Sequence, residues 1–94
     1  MRALMTARFE LQADAKDPGE RALHELASAA RRDPDTAFTA WREAGSTRYL
    51  ALLVETDVDA LRRAVAPYLV GEVAITRHEL VTSSDLAPRH RRPR

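Results

Sequence analysis

Apolar and polar residues alternate with a period of two along residues 2–11. Ala3, Met5, Ala7, Phe9 and Leu11 form a wholly apolar set, with Leu4, Thr6, Arg8 and Glu10 between them. This predicts a strand whose apolar side faces a core. The pattern changes at Asp17-Pro18-Gly19-Glu20. Asp17 can cap a helix, Pro18 suits its first position, and Glu20 can complete a capping box. Ala22, Leu23, Leu26, Ala27 and Ala30 then recur at helical spacing. Arg31 and Arg32 suit the negative end of the helix, and Pro34 stops it. Alternation returns at residues 36–43 and 48–56, on either side of a turn at Ala44-Gly45-Ser46-Thr47, which predicts a hairpin. Asp57 is placed to cap a second helix, with Leu61, Ala64, Val65 and Tyr68 or Leu69 as its buried stripe. Pro67 ends or kinks that helix, and Gly71 turns the chain into a last strand over roughly residues 72–82.

The order βαββαβ predicts an α+β, ferredoxin-like fold. Its antiparallel four-stranded sheet has spatial order 4-1-3-2, with both helices on one face. The opposite face is left uncovered. Leu4, Thr6 and Arg8 are expected there from the first strand, and Ala74, Thr76, His78 and Leu80 from the last. From the third strand, the set Tyr49, Ala51, Leu53 and Glu55 is assigned to it. Trp41 joins this face if the hairpin loop has three residues and points to the helices if it has two or four. Such a face is too apolar to leave in water, so a second copy of the chain is expected to cover it, enclosing a pocket.

Candidate chemistry follows from that placement. Glu55 and His78 would straddle Leu4, about 10 Å apart across two strand spacings. Either could move a proton as the catalytic group. A strand histidine bonded to a neighbour, or a carboxylate in a surface ion pair, is the bland alternative. Arg8 beside the Tyr49 hydroxyl could hold a carboxylate or enolate oxygen of a substrate. Trp41 could pack on a ring-shaped ligand, or these aromatics could simply be interface packing. His24, beside Glu25, reads as a solvated helix residue. The three histidines are too scattered for a metal site, and no phosphate loop or nucleophile elbow is present, so no metal or cofactor is expected.

Composition narrows the reading further. Ninety-four residues make one small domain, and a subunit this size gains from a partner. The absence of cysteine excludes disulfides and thiolate metal sites, which fits a cytoplasmic location. No apolar run approaches the roughly 20 residues of a membrane span, and residues 1–8, short and soon interrupted by charge, are not expected to act as a signal peptide. The net charge of +1 hides a basic end: without Arg89, Arg91, Arg92 and Arg94 there remain 11 basic against 14 acidic residues, a body of −3. Residues 1–86 are expected to be the folded domain and residues 87–94 a disordered basic tail. A basic footprint for nucleic acid is missing from the body. The single lysine, the absence of asparagine and the many Ala and Arg are the usage of a GC-rich bacterial genome.

The stretch from Trp41 to Asp57, with its Trp, Gly turn, apolar strand and Glu55-Thr56-Asp57, resembles the central pattern of a family of small bacterial domains of unknown function. Those domains fall in the dimeric α+β barrel superfamily. Arg2–Phe9 and Gly71–Thr76 are similar to its first and last strands. Where such families often carry Pro-Val in the last strand, this chain has Arg77-His78-Glu79, so no strand-four site carries over. The wider superfamily includes antibiotic-biosynthesis monooxygenases that need no cofactor, small polyketide cyclases and muconolactone isomerases. The resemblance thus implies a homodimer with a cupped pocket for an aromatic or polyketide-like metabolite of secondary metabolism. A non-catalytic ligand-binding, regulatory or structural dimer is the alternative.

Overall fold

The computed structural model describes residues 4–82. Strand β1 (Leu4–Leu11) leads through a 3-10 turn into helix α1 (Lys16–Arg31). The hairpin β2 (Phe38–Arg42) and β3 (Arg48–Val54) follows, then a 3-10 turn at Glu55–Asp57 and helix α2 (Val58–Val65). A last 3-10 turn at Ala66–Tyr68 contains Pro67 and opens β4 (Leu69–His78). The four strands form one antiparallel sheet in the order β2-β3-β1-β4, the expected ferredoxin-like topology.

Strand β1 is central and sets the faces. Met5, Ala7, Phe9 and Leu11 are buried against Leu23 of α1 and Leu61 and Val65 of α2. Met5 lies opposite Leu53, Ala7 opposite Ala51 and Phe9 opposite Tyr49, so these β3 residues share the helix-covered side. The Phe9 and Tyr49 rings stack there, with centroids 5.5 Å apart.

The face assigned to β3 from sequence is therefore inverted. Tyr49, Ala51 and Leu53 are core residues, 5 %, 0 % and 0 % exposed. Leu50, Leu52 and Val54 take the uncovered side instead. Both sets of β3 are apolar, so alternation alone gives no polarity, and Glu55, the one charged member of the assigned set, has already left the strand. The hairpin loop spans four residues, because Glu43 N–H donates to the Arg48 carbonyl. Trp41 accordingly pairs with Leu50. With β3 turned over, that puts Trp41 on the uncovered face, not toward the helices.

Four local expectations also change. The helix α1 begins one residue before Asp17, and no side chain caps it. Asp57 makes no side-chain cap for α2 either, and its Oδ2 is buried with no hydrogen-bond partner among the described residues. Burial raises the Asp57 carboxyl above the ordinary range. Gly71 lies inside β4, not before it. Its φ of +78° serves an irregularity where Arg8 pairs with Ala74 but Glu10 pairs with Val70. Leu80 falls beyond the end of β4. The basic tail, residues 87–94, lies outside the described residues.

Gly19 is needed for close approach. A Cβ there would sit 2.5 Å from Cδ1 of Leu11, a side chain with no exposed surface. Gly19→Ala gains up to about 1 kcal/mol in helix propensity but forces Leu11 off its place, typically costing about 1–3 kcal/mol. A lower urea midpoint is expected; a raised one would mean that Leu11 repacks freely.

Candidate functional site

The uncovered face is ordered in rows by the strand register. Trp41, Leu50, Arg8 and Ala74 form one row, and Thr39, Leu52, Thr6 and Thr76 the next. Val54, Leu4 and His78 form a third. Leu4, Trp41 and Val70 are 42 %, 51 % and 48 % exposed, so the surface is apolar and open. A concavity of about 570 Å³ lies at its Trp41 end, lined by Arg8, Leu50, Val70 and the Glu43–Arg48 ion pair among others.

Three of the sequence-derived residues, Arg8, Trp41 and Tyr49, border one concavity, Tyr49 from a position whose side chain lies on the helix side. Glu55 and His78 do not join them there. His78 lies four residues along β4 from the position beside Arg8, about 13 Å away. Its Nε2 is 2.8 Å from Thr6 Oγ1. Glu55 begins the turn after β3, and its carboxylate accepts from Arg77 Nη1 at 3.4 Å. The neighbour of Leu4 on β3 is Val54, so Glu55 and His78 do not straddle Leu4 on this face. The Tyr49 side is turned away from Arg8, whose β3 neighbour is Leu50.

Tyr49 instead belongs to a site on the helix side. Its hydroxyl donates to Glu20 Oε2 at 2.5 Å, and Arg42 Nε donates to the same oxygen at 2.9 Å. Glu20 is on α1, Arg42 on β2 and Tyr49 on β3, so the cluster ties the helix to the hairpin. It lies in a cleft of about 390 Å³ between α1 and β2. The cleft has an apolar floor of Leu23, Ala27, Phe38 and Ala40, with His24, Arg31 and Trp41 also lining it. Trp41 borders both concavities because β2 is the edge of the sheet.

The electrostatics fix the charge states here. The hydrogen bond from Tyr49, then Arg42, holds the Glu20 carboxyl below its ordinary value, against a partial opposing effect of burial. Burial first, and the adjacent Glu20 carboxylate second, push the Tyr49 phenol well above the ordinary tyrosine range. Glu20 is therefore ionised and Tyr49 a neutral donor. The linkage has opposite signs at the two ends of the pH scale. The Glu20 contribution is present above the ordinary carboxylate range and is lost as acid protonates the folded form. The Tyr49 contribution is present below about pH 10, where free tyrosine ionises, and is lost as pH rises further. In a Tyr68→Phe variant, which leaves Tyr49 as the one tyrosine, tyrosinate absorbance is expected to rise only well above pH 10 or with unfolding. Ionisation near that value with the fold intact would contradict the Glu20 contact.

Glu20, His24, Arg31 and Arg42 were not singled out as site residues by the sequence. Glu20 and His24 are four apart on one helix face, and Trp41-Arg42 lies opposite; only the side of Tyr49 would have connected them. Among the described residues, no group of three or more His, Asp or Glu could hold a metal ion, and no helix is long and apolar enough to cross a membrane.

The architecture matches solved structures closely. A candidate antibiotic biosynthesis monooxygenase from Nitrosomonas europaea superposes with a TM-score of 0.71 at 14 % identity, over 85 % of this chain and 99 % of that one. Rv0793 from Mycobacterium tuberculosis gives 0.70 at 17 % identity, over 89 % and 99 %. A variant of SnoaB, a cofactor-independent oxygenase from Streptomyces nogalater, gives 0.56 at 23 % identity, over 85 % and 95 %. The fold is shared with these three proteins. No family model matches the chain, and no curated protein matches it. At these identities the likeness concerns the fold, which hosts more than one chemistry.

Proposed function

We propose that the chain is a small homodimeric enzyme that binds a planar, aromatic or polyketide-like metabolite in the cleft between α1 and β2. The observation that carries this reading is the convergence of Glu20, Tyr49 and Arg42 over an apolar floor in a cleft of about 390 Å³. Shifted titratable groups gathered in a concave, mostly apolar site are the usual mark of ligand chemistry. The reaction step these groups suit is removal of an acidic proton from a substrate carbon or phenol. The Arg42 guanidinium, whose Nε donates to Glu20 and which carries further N–H donors, can donate to the developing oxyanion, while Tyr49, kept protonated, holds the Glu20 carboxylate beside it. His24, one turn from Glu20, supplies an imidazole to take the proton. That step is common to oxygenation by molecular oxygen, to cyclisation and to isomerisation, so it comes before the choice among them. The monooxygenase-like neighbours favour the first.

The test is solvent-deuterium exchange into an enolisable fused-ring ketone, with oxygen uptake followed in parallel. Exchange is expected with the wild type, falling by about 10²-fold or more in His24→Ala, the usual scale of general-base catalysis. Retained exchange in His24→Ala would remove that residue from the mechanism.

A second reading rests on the open-face concavity that Arg8 and Trp41 share. There a second copy would close over the ligand, Arg8 would hold its anionic end, and His78, about 13 Å along the strands, would move the proton of an extended molecule. Exchange that survives His24→Ala but fails in His78→Ala favours this reading. In either case the uncovered face is the surface for the second subunit, given its exposed Leu4, Trp41 and Val70.

A further inference from the structure

The cleft between α1 and β2 carries more positive charge than negative. Among the described residues Glu20 is its one lining carboxylate, and both Tyr49 and Arg42 donate to that group. The charge of Arg42 is thereby matched. Arg31 lines the same cleft, and its described side-chain hydrogen bond goes to Ser28 Oγ, a neutral hydroxyl, at 3.2 Å. No described carboxylate forms an ion pair with it. The negative end of the α1 dipole lies at the same helix terminus, but it amounts to roughly half a charge, less than a full guanidinium. Beside Arg31 the wall is apolar, with Ala27 one turn earlier on the helix and Phe38 on β2.

We infer that this cleft selects planar ligands that bear a negative charge, a carboxylate or a stabilised enolate or phenolate, and that Arg31 is the residue that reads the charge. The inference rests on the cleft being the ligand site. An apolar ring system fits the floor of Ala27, Phe38 and Ala40, while its anionic substituent reaches the rim at Arg31. A guanidinium next to apolar surface is suited to this pairing, because it presents planar donors to an anion and is weakly hydrated. A neutral ligand of the same shape keeps the floor contacts and loses the charged one. A cationic ligand meets two guanidinium groups.

Trp41 is the one tryptophan of the chain and lines the cleft, so its fluorescence reports binding. The experiment titrates the protein with 2-naphthoate, 2-naphthamide and 2-naphthylmethylammonium at low salt. Naphthoate is expected to bind at least about 10-fold tighter than the amide, with the ammonium weakest. The preference is expected to shrink with added salt and to vanish in Arg31→Gln, which keeps its affinity for the amide. Ala27→Phe fills the cleft and is expected to abolish binding of both. Equal affinities for naphthoate and naphthamide, or a preference that survives Arg31→Gln, overturn the charge selection and leave the cleft standing. Binding unaffected by Ala27→Phe, or no binding of any probe, overturns the cleft as the ligand site and the inference with it.

Discussion

Leu53→Ala is expected to lower the unfolding free energy by about 3 kcal/mol, within the 2–5 kcal/mol usual for truncating a buried leucine. Leu53 has no exposed surface. It lies opposite Met5 on β1 and Phe38 on β2, so its removal opens a void in the middle of the sheet under the helices. A domain this small has roughly 5–10 kcal/mol in total, so one such cavity takes a large share. Urea unfolding gives the value directly. A loss under about 1 kcal/mol would mean that Leu53 faces the open side, and the β3 face derived from the register would be wrong.

Leu52→Glu, one residue away, is expected to act on association and leave the subunit folded. Leu52 stands on the uncovered face between Thr39 and Thr6, with no cation in its row. A second copy packed on that face would bury the new carboxylate unpaired, at a cost of several kcal/mol. Three kcal/mol corresponds to a weakening of the dimer by about 100-fold. Analytical ultracentrifugation, with circular dichroism to confirm the fold, checks both halves. A dimer of unchanged affinity would show that copies meet elsewhere. A variant that does not fold would show that Leu52 belongs to the core.

The two substitutions mark what the sequence could and could not convey. Element order was legible because each element has its own punctuation. The period changes at Pro18, Pro34 ends a helix and Gly45 makes a turn with φ +74°. The face of β1 was legible because only one of its two sets is apolar. The face of β3 was not, because Leu50, Leu52 and Val54 are as apolar as Tyr49, Ala51 and Leu53, and a strand read alone has no preferred side. That one ambiguity moved the candidate site. It set Tyr49 beside Arg8, when its hydroxyl is bonded to Glu20 across the helix-covered side. Glu20 itself was read as half of a capping box, a local role, when its partners are 22 and 29 residues away. Long-range hydrogen bonds of this kind leave no periodic trace. The sequence leaves the side of Trp41 open, and a four-residue loop is expected to turn it toward the helices; it meets Arg8 because both pair with Leu50, whose side is inverted with the rest of β3.

Amide chemical-shift mapping during addition of 2-naphthoate tests the central claim most directly, that a ligand enters between α1 and β2. Leu23, His24 and Ala27 line only the cleft, whereas Arg8, Leu50 and Val70 line only the open-face concavity. The account predicts saturating shifts concentrated on the first group. Saturating shifts confined to the second group, with Leu23, His24 and Ala27 unmoved, would contradict it.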